Sequence, residues 1–178
     1  MTNIKKFRNK ILETPKILST GNPNNSLSLA YGISTVLPDV EFISRSTGFD
    51  LNLTQEVNLN KFISKIKEYN IFINLSYIDV GYQVNLLNTI YNVWKFGHVI
   101  NIGSVHDCIE SRYGHDKNIL RSRSLELNNY RIRSSYICLG EISQDHLTPI
   151  DVGQVITWIL SSKFNIPIIG YEPEKGPW

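Results

Sequence analysis

A doubly wound α/β domain, with a parallel sheet between two layers of helices, is the fold class this sequence predicts. Short apolar runs such as Ile71-Phe-Ile-Asn-Leu-Ser76 and His98-Val-Ile100 lack polar alternation, which marks strands buried on both faces. Between such runs lie stretches with apolar residues at helical spacing, for example Leu59, Phe62, Ile63 and Ile66. The two kinds alternate along the chain, and that order implies parallel strands joined by right-handed crossovers. A length of 178 residues, 42% of them hydrophobic, suits one domain over 1–178 with a basic leader at 1–14 and a polar tail at 172–178.

Composition narrows the function classes. The formal charge is +2, and the basic residues are scattered apart from Lys5, Lys6, Arg8 and Lys10. No basic and aromatic residues interleave in a patch, so nucleic acid is not an expected partner. The leader lacks the apolar core of a signal peptide and no apolar run reaches membrane-span length, so a soluble, cytoplasmic protein without membrane contact is expected. Two cysteines, Cys108 and Cys138, do not suggest a disulfide framework. His98, His106, His115 and His146 lack metal-ligand spacing, and no metal is expected.

In chain order, Lys16-Ile-Leu-Ser-Thr20 reads as the first strand and runs into a turn at Gly21. Leu27 to Val36 has helical spacing and is closed by Pro38-Asp39. Strand, glycine turn and helix can open a nucleotide-binding unit, in which backbone N–H groups at the helix start face a pyrophosphate; an ordinary turn is the other reading. Val40-Glu-Phe-Ile-Ser-Arg45 reads as a second strand ending in a cation. Asp50-Leu51 follows so closely that the connection to the next strand is abbreviated. A helix over Asn58 to Glu68 precedes the third strand, Ile71 to Ser76, whose polar residues Asn74 and Ser76 stand at its carboxyl end, either as walls of a ligand site or as caps. Tyr82 to Phe96 is a long, broadly apolar helix carrying Asn85 near its start. After the later strand Arg133 to Leu139, closed by Gly140, Thr148-Pro-Ile-Asp151 is a strong helix start with a hydroxyl cap, an early proline and an acid. Ile166 to Gly170 supplies the last strand.

The chemistry gathers after His98-Val-Ile100. Ser104 stands at the carboxyl end of this strand, and Tyr113-x-x-x-Lys117 heads a segment, Asp116 to Leu127, that can be helical. Residues four apart share a helix face, so Tyr113 and Lys117 project side by side toward the space Ser104 borders. A nearby ammonium favours a phenolate, which would bring a tyrosine pKa of about 10 toward the working range of a general acid or base. A pair this short can arise by chance, and its context carries the case.

Taken together, the residues from about Lys16 to Pro173 resemble the short-chain dehydrogenase/reductase superfamily. Thr20-Gly21 is similar to the start of the family's Thr-Gly-x-x-x-Gly-x-Gly turn. Asp50-Leu51 resembles the acidic pair that meets adenine, and Asn74-Leu-Ser-Tyr77 stands where the family has Asn-Asn-Ala-Gly. Asn85, Ser104, Tyr113 and Lys117 resemble the catalytic tetrad in its order. Leu139-Gly140-Glu-Ile142 falls where the family has Pro-Gly and a residue that touches nicotinamide. Ser28-Leu-Ala30-Tyr-Gly32 is similar to the opening of enoyl-acyl-carrier-protein reductases of the same superfamily.

The resemblance implies a Rossmann-like fold and an NAD(P)-dependent oxidoreductase. Hydride would pass between nicotinamide and a small carbonyl, alcohol or enoyl substrate, with Tyr113 as general acid or base, Lys117 lowering its pKa and binding the nicotinamide ribose, Ser104 orienting the carbonyl and Asn85 holding a water. The cofactor would lie on Thr20, Gly21, Asn25, Arg45, Asp50, Leu51, Asn74, Ser76, Lys117 and Ile142. Arg45 favours NADP over NAD, because a cation suits a 2′-phosphate. The helices from Tyr82 and around Lys117 would form a dimer interface, giving a homodimer or homotetramer.

The departures imply an alternative. Asn25 and Leu27 replace the second and third glycines of the turn, Leu27 at a close-packing position. Only eight residues separate Ser104 from Tyr113, and the loop from Gly140 to Leu147 is too short for a substrate lid. A chain reduced in this way is alternatively a degenerate, non-catalytic nucleotide-binding or regulatory domain.

Overall fold

Strands whose side chains are apolar on both faces can be buried only in a sheet covered twice, and that is the arrangement observed. The computed structural model describes residues 15–108, 110–129, 131–140, 142 and 147–171. The basic leader, the tail from 172, His146 with most of its loop, and the side chains of His106 and Cys108 lie outside the described residues. The strands are β1 (Ile17–Thr20), β2 (Val40–Ile43), β3 (Ile71–Asn74), β4 (Gly97–Ile102), β5 (Ile132–Leu139) and β6 (Ile168–Tyr171). The helices are α1 (Leu29–Val36), α2 (Glu56–Ile66), α3 (Tyr82–Val93), α4 (Arg112–Leu127) and α5 (Pro149–Ser161). All strand pairs are parallel, in the order β2-β1-β3-β4-β5-β6. The sheet is doubly wound, and the strand order reverses between β1 and β3.

Alternation along each strand divides the core into two layers. Leu18, Phe72, Val99 and Tyr136 join Phe62, Leu86, Ile90 and Leu120 under α2, α3 and α4. Ile17, Ile71, Ile73, Ile100 and Ile137 join Ile33, Val152 and Ile156 under α1 and α5. On that second face the helices approach closely enough to need glycine: a Cβ on Gly32 would lie 1.8 Å from the Pro149 carbonyl oxygen. Thr148 caps α5 by accepting from the Asp151 N–H, and Asp151 reaches back to the Thr148 N–H at 2.8 Å.

Several boundaries move for physical reasons. β2 stops at Ile43, because Ser44 and Thr47 exchange capping hydrogen bonds around a 3-10 turn at Arg45–Thr47, so Arg45 lies past the strand. Asp50-Leu51 forms no strand, and the connection from β2 to β3, expected to be abbreviated, carries the 11-residue helix α2. Helix α3 ends at Val93, where Trp94 turns extended and its indole N–H donates to the Ile66 carbonyl at 2.8 Å. Helix α4 begins at Arg112, earlier than expected, because Ser111 caps it by accepting from the Gly114 N–H at 2.9 Å. Strand β6 starts after Pro167, which has no N–H and only accepts, from Tyr136 N–H at 2.9 Å. The apolar residues of α3 face its own core while Asn85 and Asn92 point outward, leaving Tyr113, Ile119 and Leu125 of α4 as the exposed large hydrophobic residues of that helix pair.

Candidate active site

The carboxyl ends of a parallel sheet leave a crevice where the strand order reverses. Here it is a groove of about 540 Å³ whose lining includes Gly21, Arg45, Leu51, Ser76, Tyr77 and Ile78. Gly21 has φ 132°, and a Cβ there would lie 2.9 Å from Ala30 Cβ, so conformation and packing both demand glycine. Ser28 caps α1 and accepts from the Tyr31 N–H at 3.1 Å. In a second hollow, of about 460 Å³ behind β2, Glu41 pairs with Lys65 at 2.6 Å, and Lys61 donates to the Gly48 carbonyl at 3.3 Å.

Of the residues expected to hold a nucleotide, Gly21, Arg45, Leu51 and Ser76 line the groove, and the others have different roles. Thr20 is buried and its hydroxyl accepts from Leu75 N–H and Ser76 N–H at 3.0 and 2.8 Å, tying β1 to the turn after β3. Asn74 is buried, donating to the Gln83 carbonyl at 2.8 Å and to Asn101 Oδ1 at 2.9 Å. The Asp50 carboxylate turns to Asn58 Nδ2 at 3.1 Å and to the Asn52 N–H at 3.0 Å, which organises the approach to α2. Asn25 is exposed, without a left-handed backbone, and accepts from the Leu27 N–H at 3.1 Å. Ile142 is exposed and forms an isolated bridge with Leu147. Leu27, expected at a tight contact, is 75% exposed, so the close approach has moved to Gly21 and Gly32.

The reactive group assembles at the groove's β4 side. Tyr113 is hydrogen-bonded to the Ser104 side chain despite the short spacing between them. Lys117 lies one turn further along α4 and is 3% exposed, with its Nζ 5.2 Å from the ring centroids of both Tyr113 and Tyr77. Nζ donates to the Ile102 carbonyl at 3.0 Å and to Gln83 Oε1. Burial lowers the Lys117 pKa to about 8, against the opposing pull of Asp116. Burial also raises the Tyr113 pKa, partly offset by the Ser104 hydrogen bond, so the expected lowering of the phenol by the lysine is not what this arrangement produces. The reason is geometric: the ammonium faces Gln83 and a carbonyl, and it meets the phenol through its ring.

Asn85 does not reach this cluster. It is exposed on α3, and Gln83, two residues earlier and 1% exposed, points inward instead. Gln83 Nε2 donates to the Asn74 and Ile102 carbonyls at 2.8 and 3.2 Å, so its oxygen is aimed at Lys117. Asp116 adds a second tether, accepting the Gly81 N–H at 2.7 Å where α3 begins. Tyr136, buried on β5, shares its hydroxyl proton between Asp107 Oδ2 at 3.2 Å and the Lys117 carbonyl at 3.3 Å, and it accepts from the Ser104 N–H. Arg121 meets the same Asp107 carboxylate at 3.4 Å. Gln83 was open to discovery in the sequence, because it shares a stripe with Leu86, Leu87 and Ile90; nothing local marked Tyr136.

No family model matches the sequence, and no curated protein matches it. Solved structures do. The chain is similar to serine dehydrogenase from Escherichia coli, with TM-score 0.68 and 17% identity over 91% of this chain and 99% of that one. It is similar to the closed form of serine dehydrogenase complexed with NADP+, at TM-score 0.66 and 14% identity over 91% and 96%. A short-chain dehydrogenase from Burkholderia cenocepacia in complex with NADP gives 0.67 and 13% over 88% and 89%. The chain has the short-chain dehydrogenase/reductase fold. Within that fold the Ser104, Tyr113 and Lys117 cluster lies beside the groove at the strand reversal. Among the described residues there is no group of three or more His, Cys, Asp or Glu placed to hold a metal ion, and no helix is long and apolar enough to cross a membrane.

Proposed function

We propose that this chain is an NADP-dependent oxidoreductase of the short-chain dehydrogenase/reductase type, acting on a small carbonyl, alcohol or enoyl compound. The observation that carries the reading is the Tyr113 hydroxyl bonded to Ser104 with Lys117 packed against its ring. Gly21, Leu51 and Ser76 would hold the nucleotide in the groove, and Arg45 at its rim would pair with a 2′-phosphate. The cofactor would supply or accept hydride. Tyr113 would give a proton to the substrate oxygen or take one from it, and Ser104 would fix that oxygen by a hydrogen bond. Lys117, packed against the Tyr113 ring with its charge sensitive to pH near 8, would bind the nicotinamide ribose. A homodimer through the outer faces of α3 and α4 belongs to the same proposal, and a monomer at micromolar concentration in sedimentation would remove it.

A specific observation favours a second reading, a nucleotide-binding domain without turnover: Lys117 is already satisfied by Gln83 and Ile102, and the Tyr113 pKa is raised. One experiment separates the two. Titration calorimetry with NADPH and NADH is run on the wild type, Arg45→Ala and Tyr113→Phe, followed by NADPH oxidation against a panel of carbonyl and enoyl compounds. The first reading expects NADPH to bind roughly 10- to 100-fold tighter than NADH, with Arg45→Ala erasing the difference. It also expects Tyr113→Phe to bind normally and not turn over. Binding without turnover on any compound supports the second reading; no binding of either nucleotide removes both.

A further inference from the structure

Two phenol rings meet the Lys117 ammonium, and only one belongs to the proton transfer proposed above. The other is Tyr77, just past the carboxyl end of β3, where the family that the sequence resembles has a glycine. Its ring centroid lies 4.9 Å from that of Tyr113, with the planes at 75°. It is 5.2 Å from Lys117 Nζ, and the same residue lines the groove. Tyr77 is therefore shared by the groove and the reactive cluster, while Arg45 and Gly21 belong to the groove alone.

Hydride transfer brings the reacting carbons to roughly 3–3.5 Å, so a nicotinamide ring has to lie beside the substrate that Tyr113 serves. Tyr77 lines the groove and also touches both Tyr113 and Lys117, so its ring stands between the groove and that place, held by an edge-to-face contact on one phenol and by the Lys117 ammonium. The adenosine end of a nucleotide meets no such obstacle, because Arg45 and Gly21 lie on the groove's own walls. We infer that Tyr77 is the specificity-determining residue of this groove: an adenosine 2′,5′-bisphosphate unit enters freely, and the nicotinamide half reaches Tyr113 only when the Tyr77 ring leaves its place. The inference rests on the nucleotide-binding reading and adds what the groove prefers in its resting form. Binding of a full dinucleotide is weakened by the fraction of molecules in which Tyr77 stands aside, and a smaller side chain removes that handicap.

The test is titration calorimetry with two probes, adenosine 2′,5′-bisphosphate and NADPH, on the wild type, Tyr77→Ala and Tyr77→Phe. Tyr77 is 37% exposed in a loop, so both variants are expected to fold, which far-ultraviolet dichroism checks. The wild type should bind the two probes with affinities within roughly threefold, which requires the resting ring to mask the nicotinamide half. Tyr77→Ala should leave the bisphosphate unchanged and tighten NADPH about tenfold or more, as if a state populated at about 10% had become the only one. Tyr77→Phe keeps the ring and should behave as the wild type. NADPH weakened or unchanged in Tyr77→Ala overturns the inference, because the ring is then a platform or a bystander. Bisphosphate binding far weaker than NADPH in the wild type overturns it as well. If neither probe binds any of the proteins, the nucleotide-binding reading itself falls and takes the inference with it.

Discussion

Gly103 and Tyr136 occupy complementary volumes: a Cβ on Gly103 would lie 2.0 Å from Tyr136 Cζ and 2.1 Å from its hydroxyl oxygen. Gly103 follows β4 immediately before Ser104, and Tyr136 stands on neighbouring β5. The missing side chain just past the end of β4 lets a phenol reach the Ser104 N–H, the Lys117 carbonyl and Asp107 together. The turn carrying the serine and the helix carrying the lysine are thereby tied to one oxygen.

Gly103→Ala should therefore be costly. Tyr136 is 0% exposed and has no free direction, so the overpacking penalty of about 1–3 kcal/mol is expected at least. Tyr136→Phe keeps the volume but leaves the Ser104 N–H and the Lys117 carbonyl without that partner, costing about 1–3 kcal/mol. In Gly103→Ala combined with Tyr136→Ala the clash is gone, so the double change should cost less than the sum of the two single changes. Urea unfolding of the wild type, Gly103→Ala, Tyr136→Phe, Tyr136→Ala and the double variant checks this, and strict additivity of Gly103→Ala and Tyr136→Ala would contradict the account.

Gln83 is the next test. Its oxygen accepts from a buried Lys117 whose pKa is lowered to about 8. In Gln83→Leu the charged lysine loses an acceptor, so its folded pKa should drop further, and the variant should be less stable by about 1–3 kcal/mol at pH 7. Above pH 8 the native lysine is mostly neutral in both proteins, while the unfolded lysine keeps its proton up to about 10.5 in both. The penalty should shrink between pH 7 and 9.5. Paired urea titrations at the two pH values measure it, and a penalty that grows with pH would count against the bond.

These two sites show where sequence reading succeeds and where it stops. Strand burial on both faces and the cap at Thr148-Pro149 were legible because each is set by neighbours in the chain. The Ser104, Tyr113 and Lys117 group was legible because a strand end and one helix turn bring it together. Thr20 and Asn74 stand where a nucleotide site would put them, yet their polar atoms tie strands together, a choice made by partners more than fifty and about twenty-seven residues away. Tyr136 belongs to the same class: only the pairing of β4 with β5 sets it against Gly103. Gln83 was readable, since a polar residue on the stripe shared with Leu86, Leu87 and Ile90 requires a buried partner.

His98 predicts an acid sensitivity. It is 4% exposed on β4, its Nε2 lies 2.9 Å from Ser135 Oγ, and burial with nearby Arg133 lowers its pKa to about 4. Between about 6.5 and 4 the unfolded chain binds a proton on this residue that the folded chain refuses, so stability falls as pH falls across that window. From pH 7 to 5 the loss from this group should be about 2 kcal/mol. A His98→Leu variant should show a correspondingly flatter decline over the same range in urea unfolding. Equal slopes in the two proteins would mean that His98 takes up its proton as readily in the folded chain as in the unfolded one.

The glycine turn supplies the final contrast. Leu27 holds the position of a glycine in the resembling family, but it is 75% exposed, and the tight contact between helices belongs to Gly32 beside Pro149. Leu27→Gly should thus change stability by less than about 1 kcal/mol, chiefly through the unfolded chain, and leave NADPH affinity within about twofold. Gly32→Ala should do the reverse, because its Cβ would lie 1.8 Å from a carbonyl oxygen of α5, so one helix must move against the other and the melting temperature must drop sharply. Thermal unfolding and calorimetry on the two variants decide it. A large gain in NADPH affinity for Leu27→Gly would mean that the leucine obstructs the pyrophosphate after all; a tolerated Gly32→Ala would mean that α1 and α5 are not locked at this distance.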